Sequence, residues 1–144
     1  MKRRKAREYA LQILFREDFA TARGTGGVEA FWLDRPGEDT GNAPAEVMDF
    51  ANDLARGALA KRAEIDQILA GTAENWELGR MAAVDRNILR LGTYELVFRL
   101  DIPPAVSINE AIEIAKKFST MESASFINGV LDRISKAHRG VGKR

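Results

Sequence analysis

Between Ala82 and Arg99 the chain places Val84, Ile88, Leu89, Leu91, Leu96, Val97 and Phe98 around most of the circumference of one helix. A helix that is apolar on nearly every side must be covered on nearly every side. Gly92 sits at its centre, where it costs about 1 kcal/mol relative to Ala. That position predicts close approach by a neighbouring helix. Asp101 and the Pro103-Pro104 pair end the rod, because Pro cannot continue a helix.

The rest of the chain repeats the helical period. A first helix is expected from about Arg4 to Ala22, with Ala6, Tyr9, Ala10, Ile13 and Leu14 on one face. Gly24, Gly26 and Gly27 stop it, and Val28 to Leu33 supplies one or two further turns. Residues 34–44 hold Pro36, Gly37, Gly41, Asn42 and Pro44 without periodicity and read as a loop. Val47, Phe50, Ala51, Leu54 and Ala58, then Ile65, Ile68 and Leu69, mark helices over roughly 45–59 and 61–70. Gly71 and Thr72 break that pattern. Ser107-Ile108-Asn109-Glu110 has the form of a capping box, with Ser107 as N-cap and Glu110 reaching back. Ile112, Ala115 and Phe118 continue the stripe, and a last helix is expected from about Ser123 to His138. No alternating strand pattern and no internal repeat is present. The expectation is an all-α fold, a single domain over residues 1–144 with about seven helices.

Charge is strongly segregated. The formal net charge is only +1. Yet Lys2, Arg3, Arg4, Lys5 and Arg7 open the chain, and Arg133, Lys136, Arg139, Lys143 and Arg144 close it. Neither end holds an acid. All 21 Asp and Glu lie between them, against 12 basic residues. If the two ends meet, the fold has one basic pole and an acidic body. The first suits a phosphate backbone and the second a basic protein partner. Because the opening cations run straight into an amphipathic helix, they form a fixed arm.

Catalysis finds little to use. There is no Cys, and the one His is His138 in the basic tail. Glu110 and Glu113, like Asp49 and Asp53, lie one helical turn apart but lack the further ligand that closes a metal site. Gly24-Thr25-Gly26-Gly27 lacks the Lys and Ser/Thr of a phosphate loop. No cofactor and no metal is expected. The apolar stretch from Tyr9 to Phe15 is interrupted by Gln12 and ends at Arg16-Glu17-Asp18, unlike a signal peptide. No run is long enough to span a membrane. A chain without Cys fits a reducing, cytoplasmic setting. Nucleic acid is the remaining ligand class. Tyr9, Phe126 and Asn128 are candidates for base contacts, although Tyr9 and Phe126 each fit a core better than a stacking platform. Without a duplex-reading helix pair, single-stranded RNA is favoured over duplex DNA.

Three stretches carry a resemblance. The start runs Arg3-Arg4-Lys5-Ala6-Arg7-Glu8, then Ala10-Leu11-Gln12. The second runs Asp85-Arg86-Asn87-Ile88-Leu89-Arg90-Leu91-Gly92-Thr93-Tyr94-Glu95-Leu96. The third runs from Ile102-Pro103-Pro104 through Ser107-Ile108-Asn109-Glu110-Ala111 to Phe118, and on to Phe126-Ile127-Asn128-Gly129-Val130-Leu131-Asp132. Together they resemble the NusB family of bacterial transcription antitermination factors. The resemblance implies two three-helix bundles sharing a core. It implies binding of boxA RNA together with NusE, which also serves in the small ribosomal subunit. It further implies a place in the RNA polymerase antitermination complex, notably at ribosomal RNA operons.

By the same resemblance the RNA-binding arm falls on Arg3, Arg4, Lys5 and Arg7, with Lys2 beside them. A second RNA-contacting region falls on Glu122, Ser123 and Phe126, and the NusE-facing surface near Asp85. Glu122, an acid near a phosphate path, would restrain affinity. Glu95 and Asn109 are candidates for structural hydrogen bonds. Some relatives form homodimers over the RNA surface. The competing reading is a protein-interaction module or homodimer with only nonspecific RNA affinity.

Overall fold

The computed structural model describes residues 2–19, 27–33, 44–72 and 81–139. These hold seven helices: α1 (Lys2–Asp18), α2 (Gly27–Leu33), α3 (Ala45–Ala60), α4 (Arg62–Thr72), α5 (Ala83–Phe98), α6 (Pro104–Phe118) and α7 (Met121–Arg139). Among the described residues there is no strand. No described helix is long and apolar enough to cross a membrane.

α5 is the axis of the fold, and every residue from Asn87 to Leu96 is buried. α1, α2 and α3 pack as one bundle and α5, α6 and α7 as a second, with α5 also against α1 and α3. α4 lies on α5 and α7. One continuous core joins the two bundles, with Ile13, Leu54, Leu89, Leu96, Ile127 and Leu131 all below 2 % exposed.

Two glycines permit the closest approaches. A Cβ on Gly92 would stand 2.8 Å from Leu131 Cδ1 of α7, as the apolar rod predicts. A Cβ on Gly57 of α3 would overlap the phenol of Tyr94 on α5, a contact that nothing in the local sequence announces.

Several element ends differ from expectation. α1 stops at Asp18, where the Phe19 N–H bonds back to the Arg16 carbonyl and tightens the last turn. α4 continues through Gly71 to Thr72, whose hydroxyl donates to the Ile68 carbonyl. α6 begins at Pro104, because Pro at the first helical position forgoes an N–H that has no partner there anyway. Ser107 is therefore inside the helix and cannot be its N-cap. Its hydroxyl donates to Glu95 (2.8 Å), and Glu110 pairs with Arg4. α7 begins at Met121, capped by the Thr120 hydroxyl, which accepts from the Ser123 N–H at 2.9 Å. Residues 34–43 of the expected loop, and Lys143 and Arg144, lie outside the described residues.

Candidate nucleic-acid interface

The arm is the first turn and a half of α1, so its five cations are distributed by the helical period. Arg3 and Arg7 face α3. The Arg3 guanidinium stacks 4.3 Å from the Phe50 ring centroid, with Arg7 at 5.5 Å and Arg99 at 5.8 Å from the same ring. Arg4 faces α6 and holds the Glu110 carboxylate through two hydrogen bonds of 2.8 Å. Those bonds keep the Glu110 carboxyl below its ordinary value against the opposing effect of burial. Lys2 reaches Glu46 at the start of α3. Lys5 is exposed, with its ammonium 4.0 Å from Glu8 and 5.1 Å from the Tyr9 ring.

Arg7 departs from the other four. It is 2 % exposed, and its guanidinium grips Glu95 of α5 through bonds of 2.8 and 2.9 Å. Ser107 completes the cluster. A guanidinium this deeply enclosed cannot present its donors to a phosphate in solvent. Glu95 thus has the structural role expected of it, whereas Asn109 is exposed. Tyr9 is core, 2 % exposed and edge-on to Trp32 at 5.1 Å.

The start of α1 and the end of α7 both reach the C-terminal part of α5. Arg139 donates to the carbonyls of Glu95, Leu96, Arg99 and Ile102 at 2.6–3.3 Å. Beside it, Arg99 is held by Asp101 and Asp53, which raise its pKa further. Arg139 is therefore engaged within the fold, while Arg133 and Lys136 are exposed on α7. Arg133 donates to the Thr72 carbonyl, and Lys136 pairs with Asp132.

The second region gathers at the opposite end. Asp85, in the first turn of α5, accepts from the Ser119 and Ser123 hydroxyls, each at 2.7 Å. Met81, Asp85, Glu122, Ser123 and Phe126 line one groove of about 320 Å³. Glu122 is exposed, and Phe126 is half-buried against the core. Asn128 is exposed on α7. The residue expected to face a protein partner thus shares a groove with the three expected to face RNA.

α1 and α5 run antiparallel, since Arg7 meets Glu95 and Asp18 meets Asn87. At 1.5 Å per residue, the arm and this groove are about 20 Å apart along the helices. Asp18 closes the groove end of α1. It accepts from Arg62, Arg86 and Asn87 and lies 3.1 Å from Arg90. Burial opposes its ionisation, but the Arg86, Asn87 and Arg90 bonds prevail and hold its pKa at about 2. Neither this cluster nor the Arg7–Glu95 pair was expected. The available signal was the set of polar residues, Asn87, Arg90 and Glu95, inside an otherwise apolar helix.

Among the described residues no three acidic or imidazole groups converge as a metal site.

The chain is 50 % identical to the transcription antitermination protein NusB of Geobacter sulfurreducens, over 92 % of this chain and 93 % of that protein. The solution structure of NusB from Aquifex aeolicus superposes with a TM-score of 0.80 at 30 % identity, covering 99 % of this chain and 93 % of that one. A chain in the crystal structure of antitermination factors NusB and NusE in complex with dsRNA superposes with a TM-score of 0.72 at 26 % identity, covering 94 % and 97 %. The NusB family profile matches residues 4–136, and the chain belongs to that family.

Proposed function

We propose that the chain is a non-enzymatic, cytoplasmic adaptor of transcription antitermination. It binds boxA-type single-stranded RNA together with NusE, within the RNA polymerase complex that reads through terminators, notably in ribosomal RNA operons. The observation that carries the reading is the arm. Lys2, Arg3, Arg4 and Lys5 project from a helix locked on both sides, by Phe50 of α3 and by Glu110 of α6. A locked cation cluster binds phosphate with less ordering entropy than a loose tail. Arg7 serves by fixing that helix, not by touching RNA. Phe126, Ser123 and Glu122 form the second contact, where the half-buried Phe126 ring borders the groove that would receive a base.

Asp85 and the adjoining apolar groove support a protein partner at that end. Leu11, Phe15, Phe31, Val84 and Phe118 line the groove, and Phe15 and Phe118 remain 37 % and 39 % exposed. This groove also keeps a second reading in play, an interaction module that docks protein without selecting RNA.

The test is fluorescence anisotropy with labelled boxA-like, scrambled and duplex RNA, with and without NusE, at two salt concentrations. Selective binding of the boxA-like strand, strengthened by NusE and weakened by Arg3→Ala with Arg4→Ala, is the expected result. Equal weak binding to all three RNAs, indifferent to NusE, would defeat the reading and favour the interaction module. Preference for the duplex would retain RNA binding but overturn the single-strand assignment.

A further inference from the structure

The arm and the Phe126 groove lie about 20 Å apart, and two groups of side-chain contacts, two residues apart on α6, lie between them along the seam of α1 and α6. The first starts at Lys5, 4.0 Å from the Glu8 carboxylate. Lys117 of α6 donates to both oxygens of that carboxylate, at 3.0 and 3.2 Å. Two residues further on, Ser119 donates to Asp85, which also receives Ser123 at the edge of the groove.

The exposure along this seam is layered. The Glu8 side chain is 7 % exposed, while Lys5 and Lys117 are 45 % and 57 % exposed. One buried anion therefore sits under two outward ammoniums, and solvent meets a net positive strip. Phe118 lies beside it, its ring 5.3 Å from the Lys117 ammonium and 39 % exposed. Glu110 is taken by Arg4 and Glu113 by Lys116, so the strip is positive from Lys5 to Lys117, while Asp85 and Glu122 stand as acids at its groove end.

We infer that the α1–α6 seam carries the backbone of the bound single strand from arm to groove, with Lys117 as the bridging phosphate contact. Glu8 is the positioning residue that holds both ammoniums at the seam. The inference rests on the proposed RNA-binding function and assigns the path that the RNA takes. About 20 Å of single strand is a few nucleotides, so an oligonucleotide of about four can occupy the arm alone, whereas one of ten or more reaches the groove. Each phosphate contact to a single strand contributes about 0.7 to the salt slope.

The experiment compares Lys117→Gln, Lys117→Arg and the wild-type chain with labelled boxA-like RNAs of four and twelve nucleotides, across a salt series. Thermal unfolding of each variant accompanies the binding data. Expected for Lys117→Gln is a three- to tenfold loss on the twelve-mer, with the slope reduced by about 0.7 and the four-mer unaffected. Lys117→Arg keeps wild-type affinity. Wild-type affinity and slope for Lys117→Gln on the twelve-mer, while Arg3→Ala still weakens it, would overturn the seam path and leave RNA binding standing. Equal losses on both lengths would overturn it too, placing Lys117 in the general field of the arm. If the wild-type chain binds neither RNA, the function and the path fail together.

Discussion

Arg7 and Glu95 close on each other through hydrogen bonds of 2.8 and 2.9 Å although 88 positions separate them, and both side chains are at most 3 % exposed. Removing one partner leaves the other as a buried, uncompensated charge, which costs about 3–5 kcal/mol. Arg7→Ala is expected to lose stability of that order in urea unfolding, and Lys at this position restores only part because it lacks the two-pronged fork. Replacing Arg7 and Glu95 with Met together recovers much of the loss. The folded double variant keeps the wild-type salt slope on RNA. A slope flattened by about 0.7 in that variant would return Arg7 to the phosphate-binding set.

Asp18 ties the end of α1 to α4 and α5. Its folded pKa of about 2 lies below the ordinary 3.8. The unfolded chain therefore takes up a proton near pH 4, while the folded carboxyl stays ionised down to about 2. The stabilisation is complete above pH 4 and disappears as the pH falls through 2. It amounts to about 2–3 kcal/mol at 1.4 kcal/mol per unit. Asp18→Asn should be less stable at pH 6, and its unfolding free energy should fall less steeply between pH 4 and 2. Parallel curves for the two proteins would remove Asp18 from the acid response.

Gly57 faces the Tyr94 phenol so closely that a Cβ overlaps the hydroxyl and the ring. Tyr94 is 8 % exposed and stacks on Phe98 with centroids 5.9 Å apart, so admitting a Cβ requires the ring to shift against its neighbours. Ala is the better helix former by about 1 kcal/mol, but overpacking of this kind costs about 1–3 kcal/mol. Gly57→Ala is expected to lower Tm and alter the near-ultraviolet signal of Tyr94. A raised Tm would mean that the ring moves aside freely.

The parts of this architecture that were legible are those with local causes. α3 shows its buried stripe in Val47, Ala51, Leu54 and Ala58, and Gly92 announces a close crossing by breaking an apolar helix. The start of α6 was misread because Ser107 and Glu110 have the spacing of a cap, while Pro103 and Pro104 already supply the start one turn earlier. The partners of those two residues, Glu95 and Arg4, lie on other helices, and spacing along the chain carries no trace of them. The arm was legible as a count of cations. Which of them stay outside follows from the helical period combined with what α3 and α6 present, and that combination exists only in the folded chain.

Arg139 shows the same division for the tail, whose basic charge alone points toward phosphate. In the structure its guanidinium gathers the carbonyls of Glu95, Leu96, Arg99 and Ile102. The last carbonyls of a helix have no intrahelical donor, and a cation there also complements the helix dipole. Arg139→Met keeps much of the aliphatic stem but removes these bonds. It should destabilise the protein by about 1–3 kcal/mol, the cost of leaving the Leu96 and Ile102 carbonyls unmet, since those of Glu95 and Arg99 keep backbone donors. Amide exchange should quicken in the last turn of α5, with the salt slope of RNA binding unchanged. Wild-type stability combined with a flatter slope would reverse the assignment and make Arg139 part of the RNA surface.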